Sequence, residues 1–347
     1  MENNSWYWIE DGWLIFKPSF NNNLLNYYDV INKYKKIIFS NYNKHLIAIK
    51  TNNQYVDIYE DNYIENDFNK KINLSNNINL THLTFGCKFN QEINLLNNIN
   101  LTHLTFGDDF RQKINLSNNI NLIHLTFDNW FNQEIDLSKN INITHLIFKL
   151  DFNKEIDLSN NINLTHLTFG LKFNKEIDLS NNINLTDLTF GYYFNQEINL
   201  SNNINLTHLI FGRNFNQTID LSNNINLTHL TFELVFNKEI NIPLNIKSLD
   251  MCRCNNQYII DNLHNNIEEL TIYNNDLNLD NLPNSIKKIY INDYNKELNN
   301  LPNSIEYLEL TDYNLKIRKI PKNLKTIKCN RQYKYINDFK DYEVIYH

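Results

Sequence analysis

Seven histidines share one register. His82, His103, His124, His145, His166, His208 and His229 lie 21 residues apart or at a multiple of it, and Asp187 takes the missing place. Imidazoles repeated along one face could hold a transition metal or sense pH, because like charges one rung apart resist protonation together. Asp187, between His166 and His208, would favour the charged form of either neighbour. The simpler reading, preferred here, is that duplication copied an acceptable residue onto an exposed sheet face, so no metal and no cofactor are expected.

Other candidates for chemistry are weaker. Cys252-x-Cys254 has no second pair at zinc-ligand spacing, and with Cys87 and Cys329 it reads as buried free thiols. Glu134, Glu155, Glu176 and Glu197, with Lys154 and Lys175 beside them, form a periodic row of edge charge rather than an acid-base pair. A Gly-rich phosphate loop, HExxH and GxSxG are all missing, so the expectation is a protein that is not an enzyme. A net charge of -7 argues against a nucleic-acid binder, since phosphate contacts need clustered Lys and Arg. No stretch reaches about 18 uncharged apolar residues, so no membrane contact is expected. Glu2, Glu10 and Asp11 stand where a secretory signal would be basic, and an intracellular, cytoplasmic protein is expected.

The rows require an element that recurs every 21 residues. Of 347 residues, 71 are Asn and one, Ala48, is Ala, a bias that reports AT-rich coding before function. With 42% hydrophobic residues, 21 Phe and 20 Tyr, the chain is too apolar for a disordered Asn-rich tract. Phe68, Phe89, Phe110, Phe131, Phe152, Phe173, Phe194, Phe215 and Phe236 keep the 21-residue step without a slip and form the expected core ladder. A second ladder runs from Phe85 to Phe232 and a third from Leu83 to Leu230. In LTHLTF, Leu104 and Phe106 alternate with His103 and Thr105, which marks a half-buried strand, and SNNIN supplies turn residues. No helical period intervenes. Each unit must therefore stack on the next in parallel, about 4.8 Å apart.

Energetics requires the stack. Ile93, Leu95, Ile99, Leu101, Leu104, Phe106 and Phe110 are inward candidates worth roughly 2 kcal/mol each. Ordering the backbone costs roughly 1 to 2 kcal/mol per residue, so neighbouring units must share one core. The paired asparagines at 97-98, 118-119, 160-161, 181-182, 202-203 and 223-224 are expected to stack as side-chain amide ladders.

Two positions after each strand vary while everything around them is nearly fixed. They include Trp130, Leu150, Leu171, Tyr192, Tyr193, Leu234 and Val235. Loop drift accounts for such variation, but apolar and aromatic anchors beside a rigid face are also what protein interfaces use, which makes this rim the leading candidate contact surface.

The strand pattern resembles a leucine-rich repeat, and the FNQEI, FNKEI and FNQTI segments resemble the FNIP repeat, a relative found in social amoebae and giant viruses of amoebae. IPLNIKSLDM, LPNSIKKIYI, LPNSIEYLEL and IPKNLKTIKC resemble that family's LP-x-S-I core, with strands begun by Ile246, Ile267, Ile286, Ile305 and Leu324. The resemblance covers about residues 59 to 330. It implies a mainly β solenoid of about 13 stacked 19–21-residue coils with one parallel sheet and few or no helices. Domain boundaries are expected at 1–58 for an N-terminal cap, 59–242 for 21-residue repeats, 243–330 for Pro-bearing repeats and 331–347 for a C-terminal cap. Relatives of this kind sometimes carry an F-box, but its Leu-Pro opening is missing here, since Pro18 follows Lys17.

The favoured expectation is a monomeric, non-catalytic scaffold for a protein partner, in host cytoplasm if viral. The alternatives are a ubiquitin-ligase adaptor recruited through residues 1–58 and metal binding by the histidines. The basic stretch from Lys316 to Lys334 is expected to be a solvated cap that discourages end-to-end stacking, ahead of an acidic-partner or nuclear-import site.

Overall fold

A computed structural model describes residues 6–41, 45–47, 57–59, 65–273 and 276–347. The chain forms two compact units, Met1–Asn182 and Ile183–His347. Each is a mainly β solenoid built on one sheet, and the described helices are short, at Tyr28–Ile31 and Gln257–Asp261 with brief 3-10 turns elsewhere.

In the first unit, Tyr7–Glu10 pairs antiparallel with Trp13–Phe16 through a turn in which Asp11 and Gly12 take positive φ. From Trp13–Phe16 onward this sheet is parallel, through Lys36–Phe39, His82–Thr84, His103–Phe106, His124–Phe127, His145–Phe148 and His166–Thr168. The segment expected as a cap thus contributes strands to the sheet, and it buries Leu14, Phe16, Phe20, Ile37 and Phe39. Residues 45–47 and 57–59 form a separate antiparallel pair.

The second unit continues the pattern from Asp187–Thr189 through His208–Phe211, His229–Phe232, Ser248–Met251, Glu269–Tyr273, Lys288–Asn292, Tyr307–Thr311 and Thr326–Cys329 to Glu343–Tyr346. Register follows the sequence period, so that Leu104 sits beside Leu125 and Phe106 beside Phe127. A one-residue slip would send these side chains to the opposite face.

The nine phenylalanines of the FN row are each 0–1% exposed. Within a coil Phe106 stacks on Phe110 at 3.9 Å, and between coils Phe110 stacks on Phe131 at 6.1 Å. The following Asn ties coils together on the outer side, since the backbone N–H of Asn90 donates to Asn69 Oδ1 at 3.0 Å and that of Arg111 to Asn90 Oδ1 at 3.0 Å. Arg111 has no side-chain acceptor and cannot pass the bond on.

Two expectations need correction. The paired asparagines do not stack amide on amide. The second of each pair is buried, and it donates to main-chain carbonyls of the preceding coil: Asn119 Nδ2 reaches Leu95 O at 3.0 Å and Asn98 O at 2.9 Å. Pro243 takes this place in the later dialect, for Ile246 N–H donates to Pro243 O just as Leu101 N–H donates to Asn98 O. Ile99 does not point inward either. Turns at Leu96-Asn97 and Ile99-Asn100 carry it outward, where it is 51% exposed, in a stripe with Ile78, Ile120, Ile141 and Ile162.

Candidate functional site

Two surfaces hold the sequence-predicted site residues. The first is the solvent side of the sheet. His82, His103, His124, His145 and His166 are half-buried there, with successive ring centroids 4.1–4.4 Å apart and planes within 13° of parallel. The stack begins at Trp13, whose ring meets His82 edge to face at 5.4 Å, while the Lys36 ammonium lies over Trp13. In the second unit, His208 and His229 are exposed and stack at 4.2 Å, and Asp187 Oδ1 lies 3.4 Å from His208 Nδ1.

Burial holds His82, His103 and His124 at about 4, assisted by Lys36 beside His82 and by neighbouring rings throughout. His229 is lowered as well, first by burial and then by His208. Each threonine preceding a ring meets its Nδ1, as with Thr81 and His82 or Thr102 and His103, both at 2.9 Å. Position 123 is Ile, so His124 has no such neighbour. Parallel rings aim their lone pairs side by side rather than at a common point, and among the described residues no group of three or more His, Cys, Asp or Glu side chains is placed to hold a metal.

The second surface is the rim. Each pair of variable residues forms a two-residue turn pinned to the coil before it, as Trp130 N–H donates to Asp108 O at 2.9 Å and Asp151 N–H to Asn129 O at 2.8 Å. The side chains are left outside: Trp130 is 46%, Leu150 42% and Leu171 36% exposed in the first unit. In the second, Tyr193 and Val235 are exposed, whereas Tyr192 and Leu234 are half-buried. Arg111 lies over the Trp130 ring at 5.2 Å and Arg213 over Tyr192 at 5.1 Å.

Gly107, Gly170 and Gly212 lie against the main chain of the preceding coil. A Cβ on Gly107 would lie 2.3 Å from Gly86 O, and one on Gly170 would lie 1.8 Å from Lys149 O.

The other candidates separate cleanly. Glu134, Glu155, Glu176 and Glu197 are exposed. Cys87, Cys254 and Cys329 are buried and Cys252 half-buried, all as free thiols. Much of the basic stretch is neutralised at home, by Lys316–Asp338 at 3.3 Å, Arg318–Glu297 at 3.4 Å, Lys325–Glu306 at 2.6 Å and Lys328–Glu309 at 3.1 Å. Sequence reading missed an open groove of about 740 Å³ in the second unit, between Ile225 and Leu244 and the charged row Lys247, Glu268, Lys287 and Glu306. Its signal was the shortening of SNNIN to PLN before Ile246.

Parallel strands in register, short turns and a laddered asparagine define a leucine-rich-repeat-like solenoid. Residues 273–313, within the Pro-bearing coils, match the FNIP Repeat family model. CroV588, a giant-virus protein described as a novel circular LRR protein, is similar at 30% identity and a TM-score of 0.60, over 94% of this chain and 61% of CroV588. The functional domain of InlJ from Listeria monocytogenes, which includes a cysteine ladder, shares the fold at 18% identity and a TM-score of 0.53, over 74% of this chain and 62% of that one. The chain thus spans about three fifths of the length of each. No curated protein matches it. Among the described residues no helix is long and apolar enough to cross a membrane.

Proposed function

We propose that the chain is a non-catalytic scaffold that presents a rigid sheet and a variable rim to a protein partner. The repeat fold is one commonly used for protein–protein interaction. The observation that carries the reading is the exposure of Trp130, Leu150 and Leu171 on turns whose backbones are fixed coil to coil. Apolar side chains cost solubility when left in water, and rigid anchors lose little entropy on docking. Intervening coils hold the anchors at a fixed pitch, so several weak contacts act together when a partner matches the spacing. A photo-crosslinking residue at Leu150 or Leu171 should capture a partner in cells, and one at exposed Asn160, half a coil further along the chain, should not. Equal capture from both positions, or none from the rim, would rule the reading out. The adaptor alternative gains no support: the described part of the N-terminal segment commits Leu14, Phe16, Phe20, Leu24, Ile37 and Phe39 to the core, while Ile9 and Leu25 stay exposed.

A further inference from the structure

The threonines beside the histidine stack decide which ring nitrogen carries the proton. Thr81 Oγ1 lies 3.0 Å from Lys35 O and 2.9 Å from His82 Nδ1, and Thr102 Oγ1 lies 3.0 Å from Thr81 O and 2.9 Å from His103 Nδ1. Two oxygens at that separation need a hydrogen between them, and the carbonyl has none to give. The single hydroxyl proton is therefore committed to the carbonyl, and the hydroxyl can only accept from the ring. Nδ1 of His82 and His103 thus carries a proton, and because burial keeps both rings neutral a bare lone pair is left on Nε2. Stacking keeps these rings parallel, so their dipoles align and their negative ends lie along one edge.

From this edge we infer that the histidine face of the first unit docks cationic side chains, guanidinium or ammonium groups of a basic protein segment, which donate to successive Nε2 atoms. The inference deepens the scaffold reading and rests on it. An acceptor-only edge on a chain of net charge -7 attracts donors and repels carboxylates. The charged group facing this edge is Lys36, beside His82; Trp13 caps the first ring, and Thr84, Thr105 and Thr126 share the face without charge. Lys36 disfavours a cation at His82 beside it and, less directly, at His103, so within the pair of fixed tautomers the contact falls on His103. Acid removes the acceptors by protonating them, so docking fails as pH falls through the titration of the rings.

Imidazole nitrogen NMR on the full chain tests both steps. At neutral pH, His82 and His103 should carry the proton on Nδ1, and His124, beside Ile123, should not be so restricted. Thr102→Val should move the His103 proton to Nε2, and Thr102→Ser should leave it in place. An end-capped oligo-arginine peptide should shift the Nε2 resonance of His103, and an oligo-glutamate peptide of equal length should not. With Thr81→Val and Thr102→Val combined, the arginine peptide should bind about tenfold more weakly, as expected for loss of a charge-assisted hydrogen bond, while the paired Ser variant binds as the parent does. A proton found on Nε2 in the parent, ring nitrogens undisturbed by the arginine peptide, or equal binding by the Val and Ser pairs would overturn the inference. If the ring nitrogens stay undisturbed while rim cross-links still form, this assignment fails and the scaffold reading stands. If the peptide binds as stated and the rim captures nothing, the rim reading fails instead.

Discussion

The side-chain amide of Asn119 donates to the main-chain carbonyl of Asn98 at 2.9 Å, across the gap between consecutive coils. The same amide nitrogen reaches Leu95 O, so a single buried NH2 group gives a second hydrogen bond to two carbonyls that already accept the Asn98 and Leu101 N–H groups. Its Oδ1 accepts nothing among the described residues, so this Asn acts as a donor alone.

Replacing Asn119 should therefore be costly in a chemically specific way. Asn119→Ala removes two buried hydrogen bonds but leaves Leu95 O with the Asn98 N–H and Asn98 O with the Leu101 N–H, and it is expected to cost about 1–3 kcal/mol. Asn119→Asp keeps the shape but aims oxygen at oxygen and buries a charge, and it should cost more at neutral pH. Urea denaturation of the two variants gives the order. A milder effect from Asp than from Ala would contradict the donor assignment.

Phe110 touches Phe106 within its coil and the rings of both neighbouring coils. Phe110→Ala is expected to lose about 3–5 kcal/mol and Phe110→Leu distinctly less, because Leu refills much of the cavity. Trp130→Ala, which opens no cavity, should change stability by roughly 0.5 kcal/mol or less while weakening partner capture.

Acid should destabilise the first unit. His82, His103 and His124 are held at about 4 in the fold, against an ordinary 6.5. As pH falls the unfolded chain takes up these protons first, so their contribution is complete above 6.5 and drains away between 6.5 and 4. Denaturation midpoints measured across that interval should decline, and the triple replacement of the three rings by Gln should flatten the decline. An unchanged slope in the triple variant would show that the rings are not the titrating groups.

Gly107→Ala brings a methyl group against the carbonyl of Gly86, at 2.3 Å before any relaxation. Main chain rather than a flexible side chain must yield, and thermal unfolding should move to markedly lower temperature. Gly12→Ala meets no neighbour, and its penalty comes only from holding Ala at φ 80°.

The parts of this fold legible in the sequence are those that repetition makes redundant. Nine Phe at one spacing fix the period, and the alternation of Leu104 and Phe106 with His103 and Thr105 fixes the strand and its faces. The SNNIN segment was not legible in the same way. Ile99 is apolar and periodic, and only the paired turns around it decide that it faces outward. Asn97 and Asn98 are identical in type, yet one is exposed and the other sealed, a distinction set by backbone direction rather than composition. The tautomer of His103 was also out of reach, since it depends on the carbonyl of Thr81, in the preceding coil.

The buried asparagines all reach backward, toward coils nearer the N-terminus. The buried side-chain amide of a nascent coil therefore meets acceptors that are already in place when it leaves the ribosome. Pro243, with no side-chain amide to extend, marks where that row of backward-reaching amides gives way to a different fastening.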